Sequence, residues 1–194
     1  DPITGNGLAV GPLGFGPIVG CAFDPIENRT YGVESVTDRL IEIDSVNGVG
    51  TPIGEIGFVG PQALAFDPNT NTLYGNDLIT DQLIIINTTT GAGTPVGPIG
   101  FSDVAGLAFD ANTNTLFGAD VSGIFAQGTD QLITIDTSTG AGTAVGALGF
   151  QFVGGLGFDA SKNLLYGIQT APAGFASSLI TIDVETGAGS LVGL

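Results

Sequence analysis

Two short polar stretches carry the side chains best suited to binding a cation. DPNTN begins at Asp67 and DANTN begins at Asp110, and both place side-chain oxygens on alternate residues, as calcium sites do. Neither continues into the glycine and glutamate of an EF-hand loop. The same residues suit a turn in which aspartate accepts backbone hydrogen bonds. We predict turn capping, with calcium as the alternative, for Asp67, Asn69, Asn71, Asp110, Asn112 and Asn114.

Catalytic residue types are scarce in this chain. It contains no His, which excludes His-based triads and His metal sites. The single cysteine, Cys21, stands where the repeats described below carry leucine, so we predict a buried apolar thiol rather than a nucleophile. Two carboxylates suffice for glycosidase chemistry, but here the acids recur at one repeat position, which indicates a structural role. We predict that the protein is not an enzyme. The recurring acids are Asp24, Asp67, Asp110 and Asp159.

The charge balance restricts the partners. Three Lys and Arg against 19 Asp and Glu give a net charge of −16, which disfavours nucleic acid and anionic lipid. Gly, Pro, Thr or Asp interrupts every apolar run before the roughly 18 residues of a membrane span, so no membrane insertion is predicted. The Lys-poor, Thr- and Gly-rich composition is typical of secreted prokaryotic proteins. We expect an extracellular or cell-surface protein whose leader was removed or whose precursor was trimmed before Asp1.

Four markers recur in constant order along the chain, every 43 to 49 residues. They are an LAFD-like segment (a), a TLYG-like segment (b), an LITID-like segment (c) and a D-x-x-x-G-x-G turn followed by a GTAVG-like segment (d). Alternation of apolar and polar residues in QLITID has the period of a strand. We therefore predict one all-β domain over 1–194, with units at 1–43, 44–86, 87–135 and 136–182 and an extra terminal strand at 183–194.

Four short strands in about 45 residues are typical of a β-propeller blade. LITIDTSTGAGTAVGALGF followed by GLAFDANTNTLFG resembles the blades of secreted prokaryotic propellers of the YVTN and NHL-like kind. The resemblance covers essentially the whole chain and implies the fold rather than a function. Small residues in segment a also fit an innermost strand, where the blades converge. We expect four four-stranded blades, with a parallel β-helix as the alternative fold.

One d segment is in excess, because the chain both begins and ends with one. Gly7 to Leu13 and Gly189 to Leu194 compete for a single edge of a closed four-blade ring. A spare strand can pair with a neighbouring molecule, which predicts a structural protein that assembles with itself into a filament or another homopolymer. The alternatives are a surface-packed terminus, a piece of a larger propeller, and a cell-surface module that binds sugar or protein. The predicted self-assembly residues are Leu8, Val10, Leu13, Leu191, Val192 and Leu194.

Three further features of the sequence suggest surface roles. The b–c connections hold acids expected on one negative face, or on a solvated rim, at Glu34, Asp38, Asp77, Asp81, Asp120 and Asp130. Two long b–c connections carry Phe125 and Phe175 and predict a subunit contact or a ligand site. N-x-T sequons at Asn28 and Asn87 would accept N-glycans in a host that makes them.

Overall fold

The computed structural model describes residues 7–121, 130–170 and 177–192, which form four antiparallel four-stranded sheets. Blade 1 contains β1 (Ile18–Asp24), β2 (Arg29–Glu34), β3 (Arg39–Ile43) and β4 (Gly50–Glu55). Blade 2 contains β5 (Pro61–Asp67), β6 (Thr72–Asp77), β7 (Gln82–Ile86) and β8 (Gly93–Pro98). Blade 3 contains β9 (Val104–Asp110), β10 (Thr115–Asp120), β11 (Gln131–Ile135) and β12 (Gly142–Ala147). Blade 4 contains β13 (Val153–Asp159), β14 (Leu164–Gln169), β15 (Ser178–Ile182) and β16 (Gly189–Leu191).

The predicted four-bladed, all-β propeller is confirmed, with the a segments as the innermost strands and no helix among the described residues. A helix long and apolar enough to cross a membrane is therefore also absent from the described residues. Sequential strands pair in order a-b-c-d within each sheet. β-branched residues at alternate positions in strands c fit the pleated surface.

Aspartates at the ends of strands a fix the a–b turns, as predicted. Asp67 Oδ1 accepts the backbone N–H of Asn69 at 2.8 Å, and Asp110 Oδ1 accepts that of Asn112 at 2.8 Å. The residue that closes each turn is an asparagine with positive φ, the left-handed conformation that asparagine tolerates best after glycine. These bonds explain why the Phe-Asp pair recurs in every unit.

Adjacent blades pack face to face, and we call each such interface a seam. The forward face of a blade, toward the next blade, carries the tyrosine or phenylalanine of strand b and the first leucine of strand c; the backward face carries the Leu and Phe of strand a. In the seam between blades 2 and 3, the rings of Tyr74 and Phe109 stack with centroids 6.4 Å apart. Three apolar clusters fill the three internal seams in this way and form the core.

The prediction for Cys21 is wrong in its burial. Cys21 lies in β1 at the place held by Leu64 in β5, as expected, but its side chain is exposed whereas Leu64 is buried. Leu64 is covered by the forward face of blade 1. The corresponding cover for Cys21 would come from blade 4, and the inner strands β13 and β1 do not pack together as the other three neighbouring pairs do.

The acidic b–c corners also differ from the expected solvated rim. Glu34, Asp77 and Asp130 are buried, and each accepts hydrogen bonds from the protein itself. The Asp130 carboxylate, for example, accepts the backbone N–H of Val153 at 2.7 Å and so links blade 3 to blade 4. The other three acids, Asp38, Asp81 and Asp120, are half-buried. The long connections with Phe125 and Phe175 lie outside the described residues.

Candidate functional site

The interface between blades 4 and 1, which we call the terminal seam, is the place where the repeat pattern leaves apolar groups uncovered. On the forward face of blade 4, Ile168 is 51% exposed, and Tyr166 and Leu179 are half-buried. The matching residues of the first three blades are all buried, at 0–6% exposure. These are Tyr31, Val33, Leu40, Tyr74, Asn76, Leu83, Phe117, Ala119 and Leu132.

The backward face of blade 1 forms the other wall of the terminal seam. Phe23 is 52% exposed, whereas its counterparts Phe66 and Phe109 are 6% and 9% exposed and Phe158 is half-buried. Val19 and Cys21 are exposed beside it. The two walls together repeat the residue types of an internal seam, but without its contacts.

Small residues on the forward faces mark how closely each seam is packed. A Cβ added to Gly20 of blade 1 would collide with the backbone of Gln62, and one added to Gly106 of blade 3 would lie 3.0 Å from Leu156 N. The equivalent Gly155 of blade 4 has nothing within 4 Å of such a Cβ, and neither has Gly157. Blade 4 therefore has the small side chains of a packed seam while nothing approaches them.

At the a–b turns, asparagine side chains form hydrogen bonds across two of the internal seams. Asn69 Nδ2 donates to Ala111 O at 2.9 Å in the next blade, and Asn112 Nδ2 donates to Ala160 O at 3.1 Å. In blade 4 this position is Ser161, whose hydroxyl donates to Asp159 in its own turn. The seam between blades 2 and 3 has an additional buried bond, from Asn76 Nδ2 to Val104 O at 2.6 Å.

A cavity of about 360 Å³ occupies the centre of the propeller and extends into the terminal seam. All four inner strands line it, with residues 18–21, 63–64, 105–107 and 154–157. Tyr166, Ile168 and Leu179 from the uncovered forward face of blade 4 complete the wall. A second cavity of about 330 Å³ is lined by the following residues of the same inner strands and by the a–b turns.

Residues 7–15 lie against the outside of blade 1, in the place of an outer strand from a preceding blade. Leu13 O accepts the Gly50 N–H at 2.9 Å, as Ile56 O accepts that of Gly93 at 2.8 Å in the next seam. The Phe15 ring lies beside Gly50, as the Phe58 ring lies beside Gly93. The ladder expected for Gly7 to Leu13 is absent, however, since the described residues of this segment belong to no sheet.

The terminal residues predicted to mediate assembly are mostly at the surface. Leu8 and Val10 are 92% and 59% exposed, and Leu13 is half-buried. At the other end, Leu191 is 51% exposed and pairs in register with Ile180 as part of β16, which completes blade 4. Val192 is half-buried, and Leu194 lies outside the described residues.

The predicted calcium ligands take part in the turns and in the hydrogen bonds across the seams described above. The Asp67 and Asp110 carboxylates cap their turns, and the Asn69 amide also donates to Asn114 Oδ1 at 2.6 Å. Asn71 closes its turn with φ 57°. Within the described ranges, no group of three or more Cys, Asp or Glu is placed to hold a metal ion. Calcium binding thus stays a prediction.

Both glycosylation sequons lie in exposed turns. Asn28 is exposed in the a–b turn of blade 1. Asn87 is exposed in a c–d turn, where its Oδ1 accepts the N–H groups of Thr89 and Thr90 at 2.9 and 3.0 Å. Glycosylation at these two positions stays a prediction.

The electrostatics of the terminal seam are those of an apolar groove. Desolvation by the surrounding side chains raises the pKa of the Cys21 thiol, although part of that side chain is exposed. A raised pKa keeps the thiol protonated near neutral pH and makes it a poor nucleophile. At the blade 4 turn, hydrogen bonds from Lys162 and Ser161 hold the pKa of Asp159 well below its usual range.

Sequence reasoning missed the terminal seam because each of its walls has the same residue types as an internal seam.

No protein-family model matches the chain, and no curated protein matches it either. Solved structures do resemble it. A structure titled as a nidogen/laminin complex superposes with a TM-score of 0.69 at 16% identity, over 91% of this chain and 65% of that one. An auxiliary nutrient binding protein from Bacteroides thetaiotaomicron superposes at 0.59 and 16% identity, over 93% and 41%.

The solved neighbours also include an enzyme. The PQQ-bound form of aldose sugar dehydrogenase from Streptomyces coelicolor superposes with a TM-score of 0.64 at 17% identity, over 91% of this chain and 63% of that chain. The chain therefore spans between 41% and 65% of the length of these three structures. At identities of 16–17%, the likeness to these structures establishes the propeller fold. It does not indicate a function, because the similar structures include both an enzyme and a binding protein.

Proposed function

We propose that this protein is a non-enzymatic, extracellular structural module that associates with copies of itself through its N-terminal segment. The observation that carries the proposal is the position of residues 7–15. They make the contacts of an outer strand with blade 1, yet they have no strand c beside them in any described sheet.

Pairing with another strand would bury more apolar surface and satisfy more backbone groups of this segment than packing on the outside of blade 1 does. Leu8 and Val10 are largely exposed, and burying each fully is worth about 1.5–3 kcal/mol. The unpaired backbone groups of the segment also form a template for a neighbouring strand. The c strand of blade 4 in a second copy offers such an edge if β16 gives way, since three register pairs and the bond from Val192 N–H to Leu179 O hold that end among the described residues. The donor and acceptor sites lie on different surfaces, so the contact closes into a ring or continues as a filament.

Removal of residues 1–13 tests the proposal. The shortened chain is expected to stay folded, because all sixteen described strands are retained, and to lose self-association in sedimentation velocity. The matched variant Leu8→Ser/Val10→Ser keeps the backbone and is expected to weaken association without changing thermal stability. Self-association unchanged by both changes, or a full-length protein that is monomeric at every soluble concentration, would refute the proposal.

A second function is favoured by the central cavity. Its volume of about 360 Å³ lies in the range of small-molecule sites, and one of the neighbours is titled a nutrient binding protein. A ligand-binding propeller at the cell surface would take an apolar group there, because Leu64, Leu107 and Ile168 line the wall. Calorimetry with a panel of sugars and hydrophobic probes distinguishes the two functions. A protein that binds one of these ligands while it stays monomeric supports the binding module.

A further inference from the structure

We infer that the terminal seam is a head-to-tail docking surface, in which the forward face of blade 4 packs on the backward face of blade 1 in a second copy of this chain. The inference rests on the proposed self-association and adds the contact surface. It has its own support in the residues of the two walls, which is independent of the N-terminal segment.

The two walls of the terminal seam are complementary by the rule that the three internal seams follow. In the seam between blades 1 and 2, Ala22, Tyr31 and Leu40 pack against Leu64 and Phe66. Blade 4 offers Gly157, Tyr166 and Leu179 at the first three positions, and blade 1 offers Cys21 and Phe23 at the other two. Each copy therefore carries both halves of the contact.

Gly155 and Gly157 indicate that another backbone should come close to blade 4. The counterparts of Gly155 in blades 1 and 3 are Gly20 and Gly106, where the following blade comes close, and alanine takes the place of Gly157 in the first three blades. Within one chain, nothing lies within 4 Å of a Cβ at Gly155 or Gly157. The surface has the shape required for a packed blade and no blade on it.

A second copy is the occupant that fits both walls at once. A sugar or an acidic ligand would meet an apolar wall formed by the half-buried Tyr166 and Leu179 and the exposed Ile168. A copy of blade 1 would bring Phe23 and Val19, which are exposed in the single chain, into that wall. Two copies that close on each other form a ring of eight blades, the upper end of the usual range for propellers. A contact that fails to close gives a filament built on the same surface.

Cys21 reports on the seam because it is the only cysteine and lies in one wall. In dilute protein at alkaline pH, where the thiolate forms despite its raised pKa, we expect a thiol reagent to label Cys21, because the side chain is exposed. In the associated fraction we expect labelling about tenfold slower or more, since the reagent then has to wait for the seam to open. Molecular mass is measured on the same samples by sedimentation velocity.

Substitutions at Gly157 separate a seam contact from any other association. Gly157→Arg adds a side chain in open space in the single chain and is expected to raise the dissociation constant on the order of 100-fold, as at a central interface position. Gly157→Ala is expected to associate normally, because alanine fills the equivalent place in the first three blades. Ile79→Arg is the matched control, an exposed turn position on blade 2.

The possible outcomes are distinct for the two proposals. Association abolished by Gly157→Arg but not by Gly157→Ala or Ile79→Arg, with Cys21 protected in the assembly, supports the seam contact. Association that leaves Cys21 reactive and ignores Gly157→Arg overturns the seam contact and leaves the proposed function standing. A monomer with Cys21 protected at all concentrations means that the seam closes within one chain, and it overturns both proposals.

Discussion

The seam between blades 2 and 3 and the terminal seam are built from the same repeat, yet only the first is packed. In the first, Leu83, Leu107 and Leu116 are 0–2% exposed, and Asn76 donates a buried hydrogen bond to the next blade. In the terminal seam, the equivalents of Leu83 and Asn76 are the half-buried Leu179 and the exposed Ile168. A repeat position thus acquires its burial from the blade that covers it, and in the described structure the forward face of blade 4 has no such cover.

The largest difference between the two seams should appear when matched leucines are truncated. We expect Leu83→Ala to lower the free energy of unfolding by about 2–5 kcal/mol, because it leaves a cavity in a filled core. Leu179→Ala in dilute protein should cost less than about 1 kcal/mol, since its side chain already meets solvent. Urea unfolding of both variants measures the pair. Equal losses would mean that the terminal seam is packed in the single chain.

The forward-face glycines should give a smaller difference of the same sign. Gly20→Ala is expected to cost about 1–3 kcal/mol, because its Cβ would collide with the Gln62 backbone. Gly155→Ala should stay within about 0.5 kcal/mol of the parent, since no atom lies near its Cβ. Thermal melts of dilute samples compare the two. A clear destabilisation by Gly155→Ala would argue that another element covers blade 4.

The asparagine hydrogen bonds between blades, which we call latches, offer a way to strengthen a seam that lacks such a bond. Ile26 is 56% exposed and takes the position of Asn69 in blade 1, with the same backbone bond from its N–H to the preceding aspartate. Ile26→Asn is expected to raise stability by about 0.5–1.5 kcal/mol through a bond to the next blade. Asn112→Ala should lower it by a similar amount. Unfolding curves that move in the same direction for both variants would disprove the latch role.

The smallest effect concerns acid stability. Hydrogen bonds lower the pKa values of Asp136, Asp159 and Asp183, so folding favours their charged forms. This stabilisation is present above the ordinary carboxyl pKa of about 3.9 and is lost as the pH falls through the lowered values. We expect little change between pH 7 and 5 from these groups and a loss below about pH 4. Lys162→Ala should return the Asp159 pKa toward its usual value, measured by carboxyl NMR titration; an unchanged pKa would exclude Lys162 as the cause.

Most of the fold could be predicted from the sequence because its signals are local. The period-two strands and the Phe-Asp turn signals depend on residues within a few positions of one another, and the a–b turns form as predicted. The inner position of strand a followed from its small residues. The burial of Cys21 could not be predicted in the same way, because its counterparts Leu64 and Leu107 are buried by another blade.

The sequence by itself determined the four-stranded unit, the four repeats of that unit and the turn caps. These follow from backbone preferences and from the spacing of polar and apolar residues, which each unit carries within itself. Only the tertiary structure decided that Glu34, Asp77 and Asp130 are buried, and that the blade 4 and blade 1 walls stay uncovered. The physical reason is that burial depends on the distance between blades, and similar repeats contain no local signal for which of their faces another blade covers.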